Sequence, residues 1–351
     1  MRIIDVARMI KRWINEIYLH KEKVNLGLDF STIPYLTKLK YNILGFTAEE
    51  YYLYDLKNND YRDYISYWER LGLENVNNEK IASILSEKEM FERIFGRFVR
   101  VPHMFAYIIH GRYIDTDTGK EVDIISILKE KGKLIAKPTN SPGGGKGIHS
   151  LEYVDDRFYL DFEYIEHAEL LEKLKTYERY IIVESISSAK YSKEIYSRSA
   201  NSIRIITAMN EEKSDADILL AAHRFGTERS KYVDNIASGG VFALVDEDTG
   251  RIGKAKCILF PNESFSVHPD TGAKIEGIYI PDFKSIVDEL LRVHKCFPYY
   301  DFFAWDVVLD ETNKPVILEI NRGSGLEFQT IKPLRDEKIG KYMRSKKLLK
   351  F

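Results

Sequence analysis

The stretch FFAWDVVLDETNKPVILEINRGSG, residues 302–325, constrains this chain more than any other part of it. Two strongly apolar runs flank a short polar link at 310–314, so residues 302–309 and 315–320 read as a β-pair. Asp306 and Glu319 interrupt these runs. A carboxylate inside such a stretch is expensive to bury without a partner or a metal. Glu319 and Asn321 lie two apart on one strand and so share a face. The turn brings Asp306 opposite them. Two carboxylates and an amide oxygen are hard ligands, suited to Mg²⁺ among phosphates. The competing reading is a solvated hairpin face, which the neighbours Val307, Val308, Val316, Ile317, Leu318 and Ile320 argue against.

Upstream, NSPGGGKG at 140–147 places three adjacent glycines where backbone N–H groups can approach an anion. It is not a Walker A loop. Asn140 stands six residues before Lys146, and Gly147 replaces the required Ser/Thr. A dinucleotide fingerprint fails too, because Ile148 occupies the third glycine position. Alone, the loop is a flexible hairpin tip. Lys137, closing the predicted strand KLIAK just before it, makes a phosphate clamp the stronger reading. A third group lies at 224–240, where Asn235 precedes Gly239 and Gly240 in a pattern that can wrap an anionic group. Arg204 and Arg224 sit on successive predicted strands, and the guanidinium fork is fitted to carboxylate or phosphate.

Organisation follows from periodicity. At 351 residues, two or three structural units are expected. Residues 3–19, 47–56 and 61–71 carry apolar residues at helical spacing. Tyrosines crowd this region (Tyr51, Tyr52, Tyr54, Tyr61, Tyr64, Tyr67), either as amphipathic packing or as a stacking platform for a sugar or base. Residues 86–95 read as a helix capped by Ser86, with Glu89 completing the capping box. Strands are predicted at 99–109, 133–137, 149–153, 180–184, 202–209, 218–225, 240–245 and 251–258, and helices at 122–130, 166–174 and 282–295. Clustered strands with few helices indicate α+β sheets rather than a regular parallel βαβ series.

Composition excludes several classes. Charges nearly cancel, 52 basic against 54 acidic, which gives no electrostatic footprint for nucleic acid. No apolar run approaches the ~20 residues of a transmembrane helix, and the N-terminus lacks a secretory pattern. The two cysteines, Cys257 and Cys296, have no CxxC spacing and suit a reducing cytoplasm. His268 and His294 carry no metal spacing; His149 reads as a hairpin surface histidine, with phosphate contact the lesser reading, and for His223, next to Arg224, orienting a substrate is likewise the lesser reading. The basic, apolar C-terminus RSKKLLKF reads as a solvated or docked tail.

The ordered set Lys88, Lys137 with its glycine loop, YIIVES, NSIRI, DN…GG and WDVV…VILEIN resembles the ATP-grasp superfamily of carboxylate–amine ligases over about residues 86–330. FTAEEYYLYDL at 46–56 and NSIRIIT resemble its sugar-transfer-associated branch. The resemblance implies an ATP-grasp fold, two α+β subdomains clasping ATP at 86–185 and 186–351, behind an N-terminal helical region at 1–85. It implies that Lys88 and Lys137 reach ATP, that Gly143, Gly144, Gly145 and Lys146 belong to a lid, and that the hinge of Glu184, Ser185 and Ile186 reads the adenine edge. Asp306, Glu319 and Asn321 would hold Mg²⁺. Arg204 and Arg224 would steady the transferred group, with Asn235 beside them. Glu194 is a candidate for the ribose. The implied reaction joins a small-molecule carboxylate, such as a uronic acid or amino acid, to an amine through an acyl phosphate, in cell-surface polysaccharide or related synthesis. A kinase acting on a hydroxyl and a nucleotide-binding partner of a glycosyltransferase system are the alternatives. Oligomeric state is not legible.

Overall fold

The computed structural model describes residues 30–77, 84–85, 87–140, 147–231 and 233–349. The predicted helix at 3–19, the Ser86 cap and the glycines at 143–145 with Lys146 lie outside these residues.

Two seven-stranded antiparallel sheets organise the chain. The first is built from β1 (Met104–Ile109), β2 (Arg112–Asp115), β3 (Lys133–Pro138), β4 (His149–Val154), β5 (Arg157–Leu160), β6 (Glu163–Ile165) and β7 (Tyr180–Glu184), in the order β2-β1-β7-β3-β4-β5-β6. The second comprises β8 (Ile203–Met209), β9 (Ala216–Phe225), β10 (Val241–Val245), β11 (Ile252–Cys257), β12 (Phe260–Phe265), β13 (Phe302–Leu309) and β14 (Pro315–Asn321), in the order β12-β11-β10-β9-β8-β13-β14. Strand β13 is buried along its whole length, Asp306 included, and pairs with β8 on one side and β14 on the other.

Helices close the faces. Ahead of the first sheet come α1 (Tyr35–Leu44), α2 (Ala48–Leu53), α3 (Tyr67–Glu74) and α4 (Lys88–Phe95). Helices α5 (Ile124–Lys131) and α6 (His167–Lys175) pack on the first sheet, with Ile124, Leu128, Leu170 and Leu174 in its core. The short α7 (Lys190–Ile195) follows β7, and α8 (Phe283–Lys295) packs on β8 and β9. Helix α8 buries Phe283, Ile286, Val287, Leu290 and Val293, the spacing of a single helical face. Helix α9 (Lys338–Ser345) and the tail residues Leu348 and Leu349 dock on the same body.

The helix predicted at 61–71 is divided. Asp60 caps a 3₁₀ turn at Tyr61–Asp63, and a new cap starts α3, where Ser66 N and Oγ both donate to Glu69 Oε2 at 3.0 and 2.9 Å. Helix α4 begins at Lys88 with Glu87 in the cap position. The strand predicted from 99 starts only at Met104: Pro102 has no N–H to give a ladder, and Arg100 O instead accepts from Ile317 N at 2.9 Å.

The core is shared differently from the expected division at residues 85 and 185. Phe46, Leu56, Ile65, Leu73, Phe91 and Phe95 lie in one continuous core with Ile205, Phe302, Trp305 and Ile339 of the second sheet and its helices. Residues 106–182 enclose a separate core. The N-terminal helices therefore belong physically to the second body. Arg335 forks onto buried Glu69 at 2.9 and 3.0 Å, and Gln329 clasps the backbone N and O of Ile65 at 2.7 and 2.9 Å.

Candidate active site

A cavity of about 690 Å³ separates the two sheets, well within the range of small-molecule sites. From the first body β3 presents Lys133, Ile135 and Lys137, alternate residues of one strand and therefore one face. Val183 and the chain at Glu184, Ser185 and Ile186 line it at the crossing between bodies. Lys88 enters from α4. The second body contributes Arg204, Arg224, Asn235, Asp306, Glu319 and Asn321. Lys88, Lys137, Glu184, Ser185, Ile186, Arg204, Arg224, Asn235, Asp306, Glu319 and Asn321 thus face one space.

Register explains the polar floor. Asp306 is paired across the sheet with Arg204 on one side and Glu319 on the other. Arg204 Nε and Nη2 donate to the two Asp306 oxygens at 2.6 and 3.1 Å, and Arg224 Nη2 to Oδ1 at 3.0 Å. Burial opposes the charge of Asp306, but the two guanidinium groups hold its carboxyl far below the usual range. Glu319 goes the other way: burial first, and then the charge of Asp306, raise it. Asn321 Nδ2 donates to Glu319 Oε1 at 3.2 Å. Across the cavity, burial and the neighbouring Lys88 ammonium push Lys137 down to about 8, against the pull of Glu319. Burial likewise lowers Lys88.

Two carboxylates and an amide oxygen are donor types that a divalent cation takes, but here both Asp306 oxygens accept from Arg204 and Asn321 turns its Nδ2 toward Glu319. Among the described residues no group of three His, Cys, Asp or Glu side chains could hold a metal, so the amide of Asn321 has to complete the set. Glu319 is a carboxylate raised by burial and then by the charge of Asp306, a situation that a bound cation would relieve.

Three polar residues of the floor were not singled out from the sequence. Ser202 Oγ accepts from Arg224 Nε at 3.0 Å and donates to Asp234 Oδ2 at 2.5 Å. Arg204 Nη1 donates to Ser324 Oγ at 3.2 Å. Ser202 stands two residues before Arg204, and Asp234 precedes Asn235, so strand parity and adjacency were the available signals.

Other expectations are corrected. Glu194 is exposed beside Lys190, at 3.7 Å, and does not line the cavity. His149 Nδ1 lies 2.8 Å from the accepting Asp161 Oδ2 and its ring stacks on Tyr177, and His223 is a core residue facing Tyr191 and pushed down to about 4 by burial. The paired glycines 239 and 240 close on their own chain: Gly240 N donates to Asn235 O at 3.1 Å, and a Cβ there would meet three carbonyl oxygens at 3.0 Å. Tyr54 and Tyr64 are buried and stacked at 5.1 Å, which settles these two tyrosines as packing.

Two antiparallel sheets clasping a cavity lined by lysines on one side and an acidic hairpin on the other define an ATP-grasp fold, whose cofactor pair is ATP with Mg²⁺. The chain matches the sugar-transfer associated ATP-grasp family over residues 72–337, and it belongs to that family. No curated protein matches it. Among solved structures it is similar to an N5-carboxyaminoimidazole ribonucleotide synthetase complexed with ADP, at 9% identity and TM-score 0.44 over 77% of this chain and 53% of that one. A second is the same enzyme from Thermotoga maritima, at 12% identity and TM-score 0.41 over 77% and 51%. A third is an L-amino acid ligase from Bacillus licheniformis, at 11% identity and TM-score 0.38 over 72% and 44%. The chain thus spans about half the length of these proteins. Among the described residues no helix is long and apolar enough to cross a membrane.

Proposed function

We propose that this protein is an ATP- and Mg²⁺-dependent ligase that joins a carboxylate to an amine through an acyl phosphate. The observation that carries this reading is the convergence of Lys88, Lys137, Arg204, Arg224, Asp306, Glu319 and Asn321 on one cavity. In this reading Lys88 and Lys137 meet the phosphates of ATP. Gly143, Gly144, Gly145 and Lys146 close over them, and the backbone at Glu184, Ser185 and Ile186 meets the adenine edge. Asp306, Glu319 and Asn321 hold the metal, which when bound offsets the charge of the phosphate oxygens.

The chemistry needs positioning and charge neutralisation rather than a protein nucleophile. A substrate carboxylate oxygen bonds to the γ-phosphorus as the bond to the ADP oxygen breaks. The amine nitrogen then bonds to the acyl carbon, the carbon–oxygen bond to phosphate breaks, and the amine gives up a proton. Arg204, Arg224 and Asn235 orient the carboxylate and steady the phosphoryl group. The family's association with sugar transfer favours a uronic acid or amino acid as a substrate, in polysaccharide or related sugar-conjugate synthesis in the cytoplasm.

The test is mass spectrometry of products from panels of uronates, amino acids and amines incubated with ATP and Mg²⁺, alongside an assay of free phosphate. An amide with stoichiometric ADP and phosphate is the expected result. A phosphorylated product without free phosphate makes the protein a kinase and overturns the reading.

A further inference from the structure

We propose that the carboxylate of Glu327 receives the amine substrate: it holds the incoming primary ammonium and takes the proton that frees the nitrogen to attack. The inference rests on the ligase reading above and names the residue that meets its second substrate.

Charge in the cavity makes such a residue necessary. Among the described residues, eight lysines and arginines line the cavity against five carboxylates. Such walls attract phosphate and a substrate carboxylate, and they repel an ammonium. An alkyl amine arrives at neutral pH as an ammonium and cannot attack until it loses a proton. It needs an anion that is not already engaged. Four of the five carboxylates are engaged. Glu184 accepts from Arg100 Nη2 at 2.8 Å and from His103 N at 3.2 Å. Asp234 accepts from Ser202 N and Oγ. Asp306 is held by Arg204 and Arg224, and Glu319 accepts from Asn321. Among the described residues, the Glu327 carboxylate carries no hydrogen bond and no ion pair. Arg70 feels its charge but gives its own guanidinium to Glu74 at 2.8 Å.

The surroundings hold that carboxylate in place. Glu327 opens a 3₁₀ turn at Glu327–Thr330. The chain is fixed on either side of it. Leu326 O accepts from the Tyr54 hydroxyl at 3.2 Å, Phe328 is buried with its ring 5.7 Å from that of Phe242, and Gln329 clasps Ile65. The half-buried Glu327 side chain folds back over Gly325, where an added Cβ would overlap both carboxylate oxygens. Gly325 is not at a left-handed φ, so the position requires space rather than backbone freedom. Next to it, Ser324 Oγ accepts from Arg204 Nη1 at 3.2 Å. The carboxylate thus lies over the glycine adjoining that contact, close to the arginine that the ligase reading gives to the acyl phosphate.

One ammonium proton passes to Glu327 and leaves a neutral nitrogen. The nitrogen electron pair bonds to the acyl carbon, the carbon–oxygen bond to phosphate breaks, and the second N–H proton leaves with the phosphate. Glu327 then returns its proton to solvent. General-base transfer of this kind contributes roughly 10²–10⁴-fold.

The experiment incubates the full chain with Mg·ATP and the panel of uronates and amino acids, and offers two kinds of nucleophile. One is the set of ammonium compounds in the amine panel. The other is hydroxylamine, which is uncharged at neutral pH and needs no base. Glu327→Gln should cut kcat/KM for the ammonium about a hundredfold, while hydroxamate formation and the ATP KM hold. Glu327→Asp keeps the charge and should recover part of the loss. Gly325→Ala retains Glu327 but displaces its carboxylate, and should act in the same direction with an unchanged melting temperature. If Glu327→Gln does not fold, Gly325→Ala carries the comparison. Equal loss of amide and hydroxamate, or amide formation at the native rate in both variants, overturns the assignment. So does a native chain that makes hydroxamate but couples no ammonium compound. A native chain that makes neither product overturns the ligase reading itself, an outcome distinct from the failure of Glu327.

Discussion

Asp306 and Glu319 are cross-strand neighbours that should respond oppositely to neutralisation. Asp306 is buried and receives three charged donors, from Arg204 Nε and Nη2 and from Arg224 Nη2. Asp306→Asn leaves two guanidinium groups converging on a neutral amide, with Asp234 at 3.8 Å from Arg224 and Glu319 as the remaining counter-charges. Breaking a buried ion pair costs about 3–5 kcal/mol, and the retained amide oxygen argues for the lower end. About 3 kcal/mol raises the unfolding equilibrium constant by roughly a hundredfold. Glu319 is instead a carboxylate that its surroundings disfavour as a charge. Glu319→Gln removes that disfavoured charge and keeps an amide in place, so stability should be equal to native or higher. Urea unfolding near neutral pH, without nucleotide or metal, measures both. ATP turnover in the same variants should fall roughly 10²-fold in each, the scale of losing one electrostatic contact to the reacting group. Stability and activity would then separate for Glu319 and fall together for Asp306. An Asp306→Asn variant as stable as native, or a Glu319→Gln variant less stable than it, refutes the reasoning.

Three further outcomes are expected. Glu50 is buried beneath the Thr47 and Tyr67 amides, and burial raises it from 4.5 to about 8. The folded chain then binds more protons than the unfolded one between those values, so stability should fall as pH rises from about 4.5 to 8, by a few kcal/mol in all. Glu50→Gln should flatten that slope in melting curves taken across the range, and an unchanged slope removes Glu50 as its source. Lys137→Ala should weaken Mg·ATP binding by about tenfold or more through loss of one charged hydrogen bond, read by titration against the native chain. Gln329→Leu should destabilise the fold by about 2 kcal/mol or more, because the Ile65 N–H and C=O both lose their buried partner. Since Gly325, Glu327 and Phe328 line the cavity, the same change should raise the acceptor KM and leave the ATP KM alone. Equal effects on both KM values count against a selective role for this loop.

Much of the site was legible because strand parity is local. Glu319 and Asn321 share a face by spacing alone, as do Lys133, Ile135 and Lys137. The strongly apolar strands, such as YIIVE and FFAWDVVL, stand where the sequence places them. What parity does not give is the partner across a sheet. That Asp306 lies opposite Arg204 follows from the register of β13 on β8, about a hundred residues away in the chain, and no short pattern encodes it. The same holds for Gln329 reaching Ile65, which ties the N-terminal helices to the loop beside the cavity. Glu327 stands past the last predicted strand, in a 3₁₀ turn too short to show a period, and so its place in the cavity was silent. Glu194 failed for a different reason: an acidic residue at a plausible distance along the chain sits on the outer side of α7, paired with a lysine one turn away.

The division of the core has a mechanical consequence. The chain enters the first body at residues 100–104 and leaves it at 184–187. These two passages run side by side, with Glu184 N donating to His103 O at 2.8 Å and Met104 paired with Val183. The second body is thus a single object interrupted once in its sequence, and residues 104–184 are a guest attached by one double strap. A turn on that strap crosses the chain nowhere else, but it breaks the hydrogen bonds that tie α4 to the guest, from Lys88 N to Thr139 O, from Asn140 to Glu87 and from Arg93 to Thr116 O. The guest can also be exchanged for the equivalent unit of a relative by cutting at two points that are neighbours in space.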